Sequence, residues 1–343
     1  MEVRAAVADD AERWDCYVDG SPAAAAYHRF GWKGVVERSF GHRTHYLLAE
    51  SGGGVAGVLP LVRLKSRLFG NFLVSMPFVT YGGVCADDQE ARVALLREAV
   101  NIARRENASH IELRHREPLD LGLPAKTAKV SMHLGLPDSA DHLLKSFDAK
   151  LRSQIRRPAK DGMTVRSGRA DELDAFYDVF AANMRDLGTP VYAKDFFRNI
   201  LEEFPDSTWI RTVYTRDGEP AASGFLLGFK DTLEIPWASS VRRFNRSSPN
   251  TLLYWSVLAF ACEQGYATFD FGRSTPGEGT YRFKEQWGAR PVQLYWHYWL
   301  DGGGALPEIN PRNPKYRAAI ACWKRLPVGL TTLLGPRIVK NLP

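Results

Sequence analysis

The sequence predicts an α/β protein made of two copies of one mixed-sheet unit, followed by a helical tail. Three observations predict it. His45-Tyr-Leu-Leu-Ala-Glu50, a glycine turn at Ser51-Gly-Gly-Gly54 and Val55–Val62 read as a β-hairpin; Thr208–Tyr214, Asp217-Gly218 and Ala221–Phe229 read as a second. The second strand of each hairpin carries an internal glycine, Gly57 and Gly224. Ile111-Glu-Leu113 and Phe269-Asp-Phe271 each set an acid between apolar neighbours where a helix gives way to a strand. They stand 158 residues apart, about one domain length, which points to an internal repeat at domain scale. The chain of 343 residues is long enough for about two domains at ~150 residues each. The boundaries expected are 1–145, 146–310 and a tail over 311–343.

In chain order, Val3–Val7 reads as a strand, and Asp9 and Asp10 cap a helix over Ala11–Val18. His28–Phe40 is helical, with Trp32, Val35, Val36 and Phe40 on one face. After the first hairpin an apolar stretch, Phe69–Phe78, ends in Tyr81-Gly-Gly83. A helix over Gln89–Arg105 leads to a strand at His110–Arg114. The second half has helices over Asp171–Met184 and Lys194–Phe204, then the second hairpin and a strand over Leu233–Val241. A loop, Arg242–Asn250, leads to a helix over Thr251–Gln264 and a strand over Thr268–Phe271. Val292–Leu300 is strand-like and aromatic. The tail is basic and amphipathic, with Tyr316, Ile320 and Trp323 against Lys315, Arg317, Lys324 and Arg325. It either packs on the second domain or touches a membrane surface.

The composition is 45% hydrophobic and 24% charged, enough for a buried core in a soluble protein. The net charge of +6 suits an anionic partner, without the dense Lys/Arg block of a nucleic-acid tail. The four cysteines (Cys16, Cys85, Cys262, Cys322) form no Cys-x-x-Cys and no Cys/His cluster. No metal site and no disulfide framework is expected; the thiols are expected reduced and mostly buried, as in cytosol. The polar start is not a secretory signal, and no apolar run reaches the ~18 residues of a membrane span. The expected location is cytoplasmic.

Chemistry concentrates in Phe269-Asp-Phe-Gly-Arg-Ser274 and Gly279-Thr-Tyr-Arg-Phe-Lys-Glu-Gln-Trp-Gly288. A short buried strand ends in Gly272, Arg273 and Ser274. A turn follows, and then Thr280, Tyr281, Lys284 and Trp287 crowd into one segment. A rigid strand followed by a polar loop is a common way to build a site. A purely structural loop is the alternative, with Arg273 pairing Glu278 and Tyr281, Phe283 and Trp287 in the core. Between the halves, Ser146–Lys160 forms a basic helix in which Arg152 and Arg156 share a face at i,i+4. It serves either as a solvated linker or as a basic wall for an anionic ligand.

These residues resemble the FemAB-related proteins, double-domain members of the GNAT acyltransferase superfamily. The likeness rests on Pro249-Asn-Thr-Leu-Leu-Tyr-Trp-Ser256, Asp270-Phe-Gly-Arg-Ser274, Gly279-Thr-Tyr-Arg-Phe-Lys284 and Trp287-Gly288. It extends to Phe30-Gly-Trp32, Gly57-Val-Leu-Pro-Leu61, Ser75-Met-Pro-Phe78, Tyr81-Gly-Gly83 and Lys150-Leu-Arg-Ser-Gln-Ile-Arg156. The tail, Asn313-Pro-Lys-Tyr-Arg-Ala-Ala-Ile320 with Leu334-Gly-Pro336, resembles the subgroup found with exosortase (PEP-CTERM) and exopolysaccharide systems. The resemblance implies two tandem GNAT-like mixed α/β domains. It implies transfer of an acyl or aminoacyl group to an amine of a cell-envelope or polysaccharide precursor. The donor would be acyl-CoA or aminoacyl-tRNA, a substrate rather than a bound cofactor. The partners implied are an anionic or nucleotide-linked acceptor, tRNA, and a membrane touched from the inner face through the tail.

The glycine loop that holds a CoA pyrophosphate at a helix N-terminus has poor counterparts here. Arg242–Asn250 has no glycine, and Thr80–Asp88 has glycines followed by two carboxylates. Amide formation needs a proton acceptor, an oxyanion donor and positioning. Arg273 and Lys284 are expected to bind anionic groups, with Thr280, Ser274 and Tyr281 as hydroxyl donors and Tyr281 also as proton relay. Asp270 either accepts a proton or, inside its apolar strand, makes a structural hydrogen bond or ion pair. Arg152, Arg156, Asn250, Trp287 and Tyr81 complete the expected substrate contacts. A nucleophile-type hydrolase is set aside, since neither a Gly-x-Ser-x-Gly elbow nor a Cys/His pair is present. The other reading is a catalytically inactive GNAT pair that serves as a scaffold or binding module.

Overall fold

The computed structural model describes residues 1–307 and 314–342. The chain begins with β1 (Glu2–Ala5), α1 (Ala11–Gly20), α2 (Trp32–Phe40), β2 (Thr44–Ser51), β3 (Gly54–Ser66) and β4 (Gly70–Val74). It continues with β5 (Cys85–Ala86), α3 (Gln89–Arg105), β6 (His110–His115) and β7 (Ala125–Lys126). The second half has β8 (Val130–Gly135), α4 (Ala140–Ser146), α5 (Ala149–Lys160), β9 (Thr164–Gly168), α6 (Leu173–Leu187) and α7 (Lys194–Glu203). Then come β10 (Thr208–Tyr214), β11 (Pro220–Phe229), β12 (Thr232–Ser240), α8 (Pro249–Glu263), β13 (Thr268–Ser274), α9 (Gly279–Glu285) and β14 (Arg290–Gln293). β15 (Tyr295–Leu300), α10 (Pro314–Trp323) and α11 (Val328–Val339) close the chain.

Contacts divide the chain into two compact units. The first holds Met1–Val130, Gln293–Ile309 and Lys340–Pro343; the second holds Ser131–Val292 and Asn310–Val339. This differs from the expected boundaries at 145 and 310, because of strand pairing. The first unit's sheet runs β1-β2-β3-β4-β6-β15-β7, with β5 on β3; the second's runs β14-β8-β13-β12-β11-β10-β9. β15, from late in the chain, lies in the first sheet, and β8 lies in the second.

The units follow one plan. In each, an antiparallel hairpin (β2–β3, β10–β11) leads to a parallel pair (β4–β6, β12–β13). A helix covers one face: α3 packs on β2 and β3, and α8 on β10 and β11. The paired glycines serve that packing. A Cβ on Gly57 would stand 3.0 Å from Leu95 Cδ1 of α3, and one on Gly224 would stand 3.7 Å from Leu253 Cδ1 of α8 and 2.7 Å from Ile235 Cδ1 of the neighbouring strand. α8 is apolar nearly all round, as a helix buried on several sides must be, with Leu252, Leu253, Val257, Leu258 and Ala261 among its buried residues.

The expected helices and hairpins are present, with differences at their ends. Arg242–Ser247, expected as loop, is a 3₁₀ helix. Thr280–Lys284 lies on α9 rather than in a loop. The tail forms two helices, and Pro327 stands in the break between them. Its expected start, 311–313, lies outside the described residues. Cys85 and Cys262 are buried, but Cys16 and Cys322 are exposed. That corrects the expectation of mostly buried thiols: α1 and α10 turn these positions outward.

Candidate active site

In the second unit, β12 and β13 pair in parallel only over Thr232–Glu234 and Thr268–Asp270. β12 runs on to Ser240 and β13 to Ser274, so the strands part just after Glu234 and Asp270. A bulge in β12 helps to open the fork. Its register against β11 shifts between Phe225, opposite Trp237, and Leu227, opposite Glu234. Pro236 sits in that bulge and has no N–H to give a ladder. On the other arm, Gly272 adopts φ 74°, a conformation that favours glycine.

Asp270 sits at the base of the fork and is wholly buried. Its Oδ1 accepts a 2.6 Å hydrogen bond from the Ser131 hydroxyl and a 2.7 Å bond from the Gly272 N–H. His133 Nε2 lies 3.1 Å from Oδ2, at ion-pair distance when the ring is protonated but not angled for a hydrogen bond. A carboxylate in an apolar interior needs such partners to stay charged.

Lys284 reaches back from α9 to the same place. Its Nζ donates to Gly272 O at 2.8 Å and to Arg273 O at 3.0 Å, and the residue is 7% exposed. Burial pushes its pKa down to about 8, while the Asp270 and Glu234 carboxylates pull it up and Arg273 pulls it down. An ammonium has three donors, and the two carbonyls take two of them. Ser274, just beyond, is buried, and its hydroxyl has no hydrogen-bond partner among the described residues. Arg273 and Thr280 are exposed, Tyr281 is half-buried three positions before Lys284, and Asn250 is half-buried at the start of α8.

Other expected ligand contacts have different surroundings. Trp287 is wholly buried, in ring contact with Phe147, Tyr254 and Phe283. It packs in the core of the second unit. Arg152 is half-buried, and its guanidinium donates to Phe147 O at 2.5 Å. Arg156 is exposed one turn on. Tyr81 is in the first unit, buried under Arg116, whose guanidinium lies 5.1 Å from the ring centroid. With His28, Arg92, His115 and Arg116 it lines a cavity of about 130 Å³. His115 is pushed down to about 3 by burial and by neighbouring His297 and His28; it is neutral there and accepts from the Val84 N–H at 2.9 Å.

The first unit closes its own fork. β4 and β6 pair over Leu73–Val74 and Ile111–Glu112. Glu112 is buried; the Tyr298 hydroxyl donates to it at 2.6 Å and Arg114 Nε at 2.8 Å. Burial would raise its pKa, but Arg114, Tyr298 and His110 together hold it below the usual carboxylate range. At this fork the buried acid is ion-paired with Arg114 at 2.7 Å.

The helices beside the forks have N-termini that are partly occupied by the chain itself. α8 begins at Pro249, which has no N–H, behind Ser248 at φ 55°. The N–H groups of Ser248 and Thr251 are bonded to Asn245 O and Ser248 O. The N-terminus of α3 is capped by Asp88, whose carboxylate accepts from the Ala91 N–H at 2.8 Å.

With this geometry in hand, comparison with known proteins is direct. Residues 145–285 match the family described as an acetyltransferase (GNAT) domain. Among solved structures, FemX superposes with a TM-score of 0.69 at 18% identity, over 86% of this chain and 97% of FemX. The fold of this chain is a mixed α/β one with two sheets and tandem GNAT-like units. A tandem GNAT protein from the clavulanic acid biosynthesis pathway gives 0.54 at 12% identity, over 89% and 100%. L-PGS from Bacillus licheniformis gives 0.56 at 13%, over 96% of each chain. In sequence, the chain is similar to UDP-N-acetylmuramoylpentapeptide-lysine N(6)-alanyltransferase of Weissella viridescens, 29% identical over 133 residues. That match spans 37% of this chain and 39% of the relative's length.

Sequence reasoning missed Ser131, His133 and Glu234. Val130-Ser-Met-His-Leu134 alternates apolar and polar residues, the mark of a half-buried strand, and that signal alone would have found β8. Glu234 had a weaker one, an acid inside an apolar strand.

Proposed function

We propose that this protein is an N-acyltransferase that forms an amide, passing an acyl or aminoacyl group to an amine of a cell-envelope or polysaccharide precursor. The observation that carries this reading is the buried Lys284 at the fork, with two N–H bonds spent on Gly272 O and Arg273 O. As the amine attacks the activated carbonyl, negative charge grows on the carbonyl oxygen. The third N–H of Lys284 would meet that oxygen in a setting where water screens little, and Ser274 Oγ–H is a second donor close in sequence. Asp270 is enclosed, so it acts by holding β8, Gly272 and the lysine in place. The proton of the amine would pass to the acceptor's own phosphate or carboxylate, directly or with Tyr281 as relay, and as the intermediate collapses the donor's ester C–O bond breaks and the ribose oxygen of the tRNA leaves as a hydroxyl that takes up that proton.

For the donor, Pro249 at the start of α8 and the Asp88 carboxylate at the start of α3 speak against backbone recognition of a CoA pyrophosphate and favour aminoacyl-tRNA. The exposed Arg242, Arg243 and Arg246 beside α8 suit a polyanion. For the acceptor, the relative's name describes alanyl transfer to a lysine of a UDP-linked muramoyl pentapeptide. An anionic, nucleotide-linked acceptor fits the exposed Arg273. The exosortase and exopolysaccharide setting rests on the tail motif alone. The proposed location is the cytoplasmic side of the membrane, with the tail in contact with it.

One observation favours the scaffold reading: Trp287 and Arg152, both expected at a ligand, are spent on packing and on local carbonyls. Thermal shift separates the two. A ligand at a hundredfold excess over its Kd adds ~2.7 kcal/mol, so UDP-N-acetylmuramoyl pentapeptide should raise the Tm. Free CoA should not. No shift with the pentapeptide, with acyl-CoA or with aminoacyl-tRNA would favour the scaffold.

A further inference from the structure

We propose that α10 and α11 form a docking surface for an anionic lipid bilayer. The inference rests on the membrane location proposed above and gives it a surface and a lipid class; it uses no residue of the fork, so vesicle binding and transfer can fail separately. α11 is held to its unit by one side only. Thr331, Gly335 and Val339 are buried at i, i+4 and i+8, and a Cβ on Gly335 would stand 2.8 Å from Val191 N, so the helix is seated tightly. The other side carries Leu330, Leu333, Leu334 and Arg337, all exposed, at i, i+3, i+4 and i+7. That spacing makes one continuous stripe, three leucines ending in a cation, where a surface helix is normally polar.

The leucines do not stand alone. The large hydrophobic residues exposed in the second unit, among those described, are Leu187, Leu330, Leu333 and Leu334. Leu187 ends α6 beside Gly188, which lies against Ile320 and Lys324 of α10. All four therefore fall on the tail helices or on the helix end that α10 covers. Lone exposed leucines need no explanation, but a stripe does.

Charge decides the occupant. Residues 309–343 hold seven Lys and Arg and no Asp or Glu, and Arg317, Lys324, Arg325 and Arg337 are exposed. Two copies of this chain meeting through the same surface would set cation against cation. An anionic bilayer meets both needs: its headgroups attract the cations, and its acyl boundary takes the leucines while long basic side chains reach back to the phosphates. Among the described residues no helix is long and apolar enough to cross a membrane, so the contact is peripheral.

The test is co-sedimentation of the full chain with phosphatidylcholine vesicles, with and without phosphatidylserine. The expected result is binding at least about tenfold tighter to the anionic vesicles, weakened by added salt. Leu333→Glu should cut that binding about tenfold, since it puts a charge among acyl chains, while the melting temperature stays unchanged. Lys324→Glu/Arg325→Glu should abolish the preference for phosphatidylserine. Equal binding to both vesicles, or parent-like binding by these variants, would overturn the proposal. So would a concentration-dependent dimer dissolved by Leu333→Glu, which would assign the stripe to a second copy.

Discussion

Ser131 and Asp270, 139 positions apart in sequence, are joined by a 2.6 Å hydrogen bond from hydroxyl to carboxylate. The bond ties β8 to β13 at the base of the fork. The first unit has a counterpart, in which Tyr298 on β15 donates to Glu112 on β6 at 2.6 Å. In both units a strand from elsewhere in the chain is fastened by a hydroxyl onto a buried acid.

Ser131→Ala removes one of the hydrogen bonds to Oδ1 of a buried carboxylate, and the one from the Gly272 N–H stays. A hydrogen bond to a charged group contributes about 1.5–3 kcal/mol. The variant should lose about 2 kcal/mol in urea unfolding, and Ser131→Thr should recover part of it. An unchanged midpoint would mean that the bond adds nothing to the fold.

Lys284 predicts an alkaline gain in stability. Its folded pKa, about 8, is below the ~10.4 of an unfolded lysine. Between those values the unfolded chain binds more protons, so stability rises with pH across that window. The full cost of keeping the ammonium buried below pH 8 is on the order of 3 kcal/mol. Comparing unfolding of the parent and Lys284→Met from pH 7 to pH 10.5 isolates the effect. The rise should be missing in the variant, and parallel curves would refute a depressed pKa.

Glu112 has the opposite sign. It is held charged below its unfolded value. Its contribution is therefore present above about pH 4.3 and is lost as pH falls through the lower folded value. Arg114→Ala would strand the buried carboxylate and should cost ~3–5 kcal/mol at pH 7. Glu112→Gln/Arg114→Met should cost less than the single change. If the double variant were the less stable, the pair would have to be favourable in itself.

The repeat was legible because its parts are local. A glycine turn, an internal glycine and an acid between apolar residues each survive in a short window of sequence, and the β2–β3 and β10–β11 hairpins follow from them. The strand exchange was not legible. Val130–Gly135 and Tyr295–Leu300 pair with strands far away in the chain, and periodicity says which residues form a strand but not which partner it takes. The same limit shaped the candidate site. Asp270, Arg273, Ser274 and Lys284 came from one contiguous signature, whereas Ser131 and His133 arrive through β8. Of the two roles that the sequence left open for Trp287, only the packing one has a visible spatial basis, in Phe147, Tyr254 and Phe283.

The most direct test of the central claim is a transfer assay read by mass. UDP-N-acetylmuramoyl pentapeptide would be incubated with the protein and alanyl-tRNA, and in parallel with acetyl-CoA. The account predicts a mass gain of one alanyl group with the tRNA donor. The rate should fall as pH rises through about 8, where Lys284 loses its proton, and should drop by about 10²–10³ in Lys284→Met. A parent-like rate in Lys284→Met would contradict the assignment of the oxyanion donor. No transfer from either donor, together with no binding of the acceptor, would contradict the enzyme itself and leave the scaffold.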